Sequence, residues 1–313
     1  MAQWDFMRRG TWLAAALAFC VVAAHGEEAA LALSEIAPGV FVRAGLIEDI
    51  APENAGRIAN IGFVVGNDAV AVIDTGASAR EGAALLAAVR GVTPKPIRYV
   101  INTHMHPDHM LGNAAFEGLS ATFAGHFKLP GAMQSHGEFY LKNFQRLIGA
   151  DALAGTKIVP PTLLVRDAAE LDLGGRILEL RAWPVAHTDN DLTIIDRETG
   201  TLFAGDLVFL QHLPVLDGSI RGWLNVMQDL PKLKAERVVP GHGPASARWP
   251  EALAPQQAYF ARLAKDLRGL LAKGVDVGAA SASAGQSQRD NWSLFDRFNP
   301  RNATAAYAEL EWE

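Results

Sequence analysis

Thr103-His104-Met105-His106-Pro107-Asp108-His109 follows directly on the run Ile-Arg-Tyr-Val-Ile-Asn at residues 97–102. Three His and one Asp fall within six residues here, against nine His in all 313, a density that random scatter does not produce. Residues 97–102 are short, apolar and rich in β-branched and aromatic side chains, which reads as a buried strand. A chain leaving such a strand turns His104 and His106 to one side, while Asp108 and His109 reach round to the other. Pro107 stiffens the turn and cannot continue a helix. Imidazole and carboxylate donors suit zinc, and also iron or manganese.

Working outward, three more donors stand in matching contexts. His187 follows the strand-like residues 178–185 and precedes Thr188-Asp189-Asn190-Asp191. Asp206 follows residues 201–204 within Ala-Gly-Asp, and His242 follows residues 237–239 within Pro-Gly-His-Gly-Pro. In each case an apolar strand delivers a donor just past its end, often beside a Gly that admits a close backbone approach. Together these supply five His and two Asp, enough for two metals. Asp74, within Val-Ile-Asp-Thr-Gly at residues 72–76, reads either as a turn residue or as a partner that fixes a ligand loop by hydrogen bonds. His126 and His136 are expected to be packed or solvated, and His212 is a candidate for the pocket mouth. Phe209 and Trp223 read first as core and second as pocket wall.

Composition narrows the field. Half of the residues are apolar and a fifth charged, with 28 Lys+Arg against 34 Asp+Glu for a net charge of −6. That excludes a disordered or collagen-like chain, and it argues against nucleic-acid binding, which needs a basic footprint. A single cysteine excludes a disulfide framework or a multi-cysteine zinc ribbon. Arg8 and Arg9, an uncharged run over residues 11–24 and then Ala24-His25-Gly26 read as a signal peptide over residues 1–26, cut after Gly26. The implied destination is the periplasm or the exterior, with no stable membrane span after cleavage; an uncleaved anchor is the alternative.

Strands alternate with helices along the rest of the chain. The spacing predicts a strand at 40–43, a hairpin of 60–65 and 69–74, a helix at 79–90, and helical stretches at 112–116 and 131–148. Strands follow at 176–183, 191–196 and 201–204, a helix at 223–233, a strand at 236–239 and a surface helix at 255–273. The small, polar stretch 277–288 reads as an exposed loop, and residues 49–57 as a candidate flap over a pocket. The domain reading is one domain over 27–265 with a C-terminal extension, 266–313, packing on it.

The order HxHxDH, His, Asp, Gly-His-Gly resembles the metallo-β-lactamase-fold hydrolases over residues 34–248, and Val-Ile-Asp-Thr-Gly at 72–76 is also that family's habit. The run at 205–224 (Gly-Asp-Leu-Val-Phe, Leu-Asp-Gly-Ser, Gly-Trp-Leu) and the closing Arg301-Asn302, Ala306-Tyr307 and Glu309-Leu310-Glu311 are similar to the zinc metallohydrolases that accompany quinoprotein relay systems. The resemblance implies an α/β chain folded as an αββα sandwich, with the metals at one edge of the sheets. It assigns His104, His106 and His187 to a first metal, Asp108, His109 and His242 to a second, and Asp206 to both. Two Zn2+ per chain are implied, with iron as the alternative occupant, and Asp108 and Asp206 as the catalytic carboxylates. The implied reaction is attack of a metal-bound hydroxide on the acyl bond of a small-molecule lactam, lactone or thioester, with a quinoprotein dehydrogenase as partner. Two alternatives share the motif: a mononuclear iron persulfide dioxygenase-like enzyme, and a non-catalytic periplasmic metal-binding accessory protein.

Overall fold

The computed structural model describes residues 31–313; the expected signal peptide, with Arg8, Arg9 and Cys20, lies outside them. Short apolar runs bounded by Gly, Asn, Asp and Pro form the first sheet. Its strands are β1 (Ser34–Ala37), β2 (Val40–Arg43), β3 (Ile61–Val65), β4 (Val70–Ile73), β5 (Ile97–Ile101), β6 (Thr122–His126) and β7 (Leu163–Val165), hydrogen-bonded in that order. The second sheet has the order β13-β12-β11-β10-β9-β8. Its strands are β8 (Ala168–Asp172), β9 (Ile177–Ala182), β10 (Leu192–Asp196), β11 (Thr201–Phe209), β12 (Arg237–His242) and β13 (Ala247–Arg248). Pairing is parallel from β4 to β7 and between β11 and β12.

Val64, Ile73 and Ile101 of the first sheet share one buried cluster with Leu178, Ile194 and Phe203 of the second, so the sheets pack face to face. Helices cover the outer faces. Leu85 and Val89 of α1 (Ala79–Val92) pack on Val70, Val72 and Val100, each such side chain contributing about 1.5–3 kcal/mol by leaving water. The short α2 (Pro107–Met110) and the long α3 (Leu129–Ile148) follow. Over the second sheet, α4 (Ile220–Asp229), α5 (Ala254–Leu271), α6 (Val277–Ser283) and α7 (Phe295–Leu310) gather Trp223, Phe260, Ala280 and Ala303 against Leu202 and Val208. The chain is thus a mixed α/β sandwich of two sheets flanked by helices. Among the described residues no helix is long and apolar enough to cross a membrane.

Local rules explain the element ends. The Ser78 hydroxyl accepts from the Glu81 amide (3.2 Å), and the Glu81 carboxylate reaches back to the Ala77 amide (2.7 Å), a reciprocal cap on α1. Ser78→Ala is expected to cost about 1 kcal/mol, read as a shift of the urea midpoint without a change of slope. α1 runs two residues beyond the expected stop at Arg90 and ends before Pro94 and Pro96. The stretch 277–288 is not an exposed loop. Asp276 caps α6 by accepting from the Ala279 amide (3.0 Å), and Ala280 and Ala284 are fully buried. Alanine carries the highest helix propensity while giving little amphipathic contrast, so the composition hid the helix. β1, β6, β7, β8 and β13, short or lacking clear alternation, are not among the expected strands.

Candidate metal centre

The C-terminal ends of β4, β5, β11 and β12 bring the chemistry to one edge. β5 ends at Ile101, and the chain turns through Asn102 and Thr103 to His104. His106 stands at the N-cap of α2, Pro107 opens it, and Asp108 and His109 occupy its first turn. Pro at this position loses no hydrogen bond. β11 does not stop at Ala204 as expected. It continues through Gly205 at φ +51° with a shift of register, a bulge that re-aims the next side chain. Asp206 therefore sits inside a strand, and His242 is the last residue of β12. His187 lies in the loop beyond Ala182, not at a strand end. The flanking glycines are needed for room: a Cβ on Gly205 would stand 2.6 Å from that of Thr103, and one on Gly241 would overlap the Asp206 carboxylate.

All seven residues singled out by their spacing converge. His104, His106, His187 and Asp206 offer donor atoms within 4.8 Å of one another, as do Asp108, His109 and His242. Asp206 stands at the centre. Its oxygens lie 3.1 Å from His109 Nε2, 3.3 Å from His187 Nε2, 3.4 Å from His242 Nε2 and 3.7 Å from His104 Nε2. Asp108 approaches His242 Nε2 at 3.4 Å and His109 Nε2 at 3.7 Å. His104 Nε2, His109 Nε2 and Asp206 Oδ1 are buried without a hydrogen-bond partner. A buried polar atom left so costs about 1–3 kcal/mol, and several facing one another form a donor set that fits a pair of dications.

The outward nitrogens are all engaged, which fixes the inward ones. His109 Nδ1 is 2.8 Å from Asp74 Oδ2, His187 Nδ1 is 2.7 Å from the Val215 carbonyl, and His242 Nδ1 is 3.0 Å from the Ile58 carbonyl. His106 is reversed: Nε2 meets Asp217 at 3.0 Å, and Nδ1 faces inward, 2.9 Å from His187 Nε2. Thr103 Oγ1 lies 2.8 Å from Asp74 Oδ2 and 3.0 Å from His104 Nδ1. A carboxylate only accepts, so Thr103 donates its one hydroxyl proton to Asp74 and accepts from His104 Nδ1. His104 Nε2 is thereby left bare. Asp74 itself holds a left-handed φ of +53°, and it acts as the ligand-fixing partner rather than as a plain turn residue.

Charge is tightly balanced here. Burial works to raise the Asp206 carboxyl, but the imidazoles of His242, His109, His104 and His187 hold it well below the usual range. Burial pulls His187 down to about 3 and His104 well below its ordinary value, the latter helped by neighbouring His109. Burial opposes protonation of His109 as well, yet the carboxylates of Asp206, Asp108 and Asp74 lift it well above its ordinary value.

A cavity of about 350 Å³ opens over the cluster. Ile50, Phe139, Phe144, Val215 and Phe298 make it apolar, while Tyr140, Asn143 and Arg301 supply polar groups. His212 lines it, its ring 5.1 Å from that of His242 and 5.2 Å from that of Phe298. Phe209 stacks on His242 at 5.0 Å, and Trp223 backs His187 at 5.4 Å. Both are fully buried, so they brace ligand rings from the core side. In the stretch 49–57, Ile50 lines the cavity, and Asp49 accepts from Arg297 at 2.7 Å. His126 is buried and accepts from the Lys128 amide, and His136 stacks on Tyr140. A larger neighbouring cavity, about 650 Å³, is lined by Lys128, His136 and Asp189 but by no donor of either set. Sequence reasoning gave no role to Asp217, Arg301, Asn302 or the carbonyls of Ile58 and Val215. Asp217 and Arg301-Asn302 fell within quoted motifs, which was the only signal.

Comparison with known proteins agrees with this geometry. The model of the metallo-beta-lactamase superfamily matches residues 55–242. A beta-lactamase-like protein 2 homolog from Caenorhabditis elegans is 25% identical over 174 residues, 55% of this chain and 52% of that protein. A linear primary-alkylsulfatase from Pseudomonas sp. (strain ATCC 19151) is 42% identical over 45 residues, 14% of this chain and 8% of the relative. The chain therefore spans about half or less of the curated relatives it matches. Among solved structures, the metallo-beta-lactamase FIM-1 from Pseudomonas aeruginosa in its mono-zinc form superposes with a TM-score of 0.59 at 18% identity. That match covers 74% of this chain and 94% of FIM-1. The sec-alkylsulfatase Pisa1 from Pseudomonas sp. gives a TM-score of 0.65 at 18% identity, over 88% of this chain and 50% of its own. With well over half of its length matched by the family model, the chain belongs to the metallo-beta-lactamase superfamily.

Proposed function

We propose that the protein is an exported hydrolase with a dinuclear zinc centre that cleaves the acyl bond of a small-molecule lactam, lactone or thioester. The observation that carries this reading is the Asp206 carboxylate seated among four imidazole Nε2 atoms, with Asp206 Oδ1 and the Nε2 atoms of His104 and His109 buried and unpartnered, beneath a cavity with a largely apolar lining. His104, His106 and His187 would hold one ion, Asp108, His109 and His242 the other, and Asp206 both. When bound, a pair of dications would supply Lewis acidity and lower the pKa of a bound water towards neutrality. The chain supplies the rest. Asp108 lines the cavity, where its carboxylate can orient the attacking water or pass a proton to the leaving group. Ile50, Phe139 and Phe298 exclude bulk water and seat the apolar body of a substrate. A second complete donor set supports two ions over the single iron of a persulfide dioxygenase-like enzyme.

Export rests on residues 1–26. Company with a quinoprotein dehydrogenase rests on the run at 205–224 and the closing motifs. The first test is metal analysis with a hydrolysis screen of a chromogenic cephalosporin, lactones, thioesters and, given the alkylsulfatase relatives, an alkyl sulfate. Near two zinc per chain is expected, with turnover lost on chelation and regained on adding zinc. One iron per chain with oxygen consumed alongside a persulfide would overturn the reading. So would zinc binding with no turnover across the panel and co-purification with a dehydrogenase.

A further inference from the structure

We infer that the C-terminal helix α7 is the positioning element of the first donor set, holding the loop of residues 213–219 through Arg301 and Asn302 so that Asp217 and Val215 fix the rings of His106 and His187. The inference rests on the reading that this set holds a metal. The two residues it adds, Arg301 and Asn302, lie beyond the span matched by the family model, which ends at residue 242.

Each contact falls at a different point of the loop. Asp217 bonds His106 Nε2 with one carboxylate oxygen (3.0 Å) and takes Arg301 Nη2 on the other (2.9 Å). The Val215 carbonyl that receives His187 Nδ1 is bracketed by a single side chain. Asn302 donates to the Pro214 carbonyl (2.6 Å) and accepts from the Leu216 amide (2.9 Å). Asn302 is fully buried and also donates to the Tyr259 hydroxyl at 3.0 Å, so its amide cannot rotate away without breaking three bonds. Two turns further along the same face, Glu309 accepts from Ser219 Oγ (2.7 Å) and the Ile220 amide (2.8 Å). The loop is thus held at its middle and at its far end by one helix.

The second set is built differently. His109 depends on Asp74, and His242 on Ile58, neither of which is bonded by Arg301 or Asn302. α7 reaches that side through the exposed Arg297–Asp49 pair and through Phe298, whose ring meets His212. It bonds neither His109 nor His242. Outer partners of ligating histidines set ring orientation and tautomer, and their loss typically costs about 10–100-fold in metal affinity. A role confined to folding would weaken both sets together, whereas this one is asymmetric.

The test titrates the metal-free full chain with zinc against a chromophoric chelator. Wild type should show two sites. Arg301→Ala and Asn302→Ala should each weaken one of them about 10–100-fold and leave the other within about twofold, and Arg301→Lys should recover part of the loss. His242→Ala, which strips a donor from the second set, identifies the site that α7 does not serve. Asp217→Asn, at a partly exposed position, repeats the measurement should Asn302→Ala fail to fold. Equal weakening of both sites, or of neither, in variants of a wild type that binds two zinc would overturn the role of α7 alone. A wild type that binds no zinc would overturn the functional reading and this inference with it.

Discussion

Asp206→Asn is expected to abolish turnover, by more than about 1000-fold, beyond the 10²–10³ that follows loss of one preorganised catalytic donor. The variant is nearly isosteric, so packing at the β11 bulge is preserved and the far-UV circular dichroism should not change. The chemistry changes completely. A carboxylate offers acceptors on both oxygens, while an amide offers one acceptor oxygen and an NH2 that only donates. Turned one way, the NH2 faces His109 Nε2, 3.1 Å from the present oxygen; turned the other way, it faces His187, His242 and His104 at 3.3–3.7 Å. Either orientation places a donated proton on a lone pair that a cation would use, and it removes the one negative charge shared by both sets. Zinc stoichiometry should fall below two together with activity. A variant that turned over at the wild-type rate with two zinc would show that Asp206 does not bridge.

The residues of the site were far more legible than the partners that aim them. His104, His106, Asp108 and His109 announce themselves because a strand and a proline-stiffened turn put four donors in six positions. Asp206 and His242 could be found because each follows an apolar run and a glycine, although the strands proved longer than expected. The reason is physical: strand ends were read from residue type, and a glycine such as Gly205 looks like a terminator when it is in fact a bulge within a continuing ladder. The αββα architecture came from the resemblance carried by these motifs more than from strand-by-strand reading, which missed β1, β6 to β8 and β13. Apart from Asp74, which sequence offered as a ligand-fixing partner, the acceptors behind the histidines could not be read from sequence. Two of the five are backbone carbonyls, at Ile58 and Val215, and a carbonyl has no residue type to recognise. Asp217 lies 111 positions from His106 and Arg301 a further 84 from Asp217, so their relation exists only after the sheets and α7 have packed.

Asp74→Asn should weaken zinc at both sets, by about 10–100-fold each, which separates it from the one-sided effect expected of Arg301 and Asn302. Asp74 Oδ1 accepts from the Thr103 amide at 2.8 Å, and Oδ2 accepts from both Thr103 Oγ1 and His109 Nδ1 at 2.8 Å. Three donors converge on one carboxylate, and an amide cannot satisfy them. With its NH2 on the Oδ2 side, His109 Nδ1 meets a donor and loses its anchor. Thr103 then accepts from the amide and donates to His104 Nδ1, which sends the His104 proton to Nε2, where the metal lone pair is needed. With the NH2 reversed, it confronts the Thr103 backbone N–H, in the turn that leaves β5. The first arrangement corrupts two ligand tautomers, one in each set; the second opens the turn that carries both rings. Proton NMR of the imidazole N–H resonances in the metal-free chain would read the tautomer directly. A His104 signal moved from Nδ1 to Nε2, alongside two weakened sites in the chelator titration, is the expected pair of results. Unchanged tautomers with undiminished affinity would mean that Asp74 merely ends β4 and that the rings are held by packing alone.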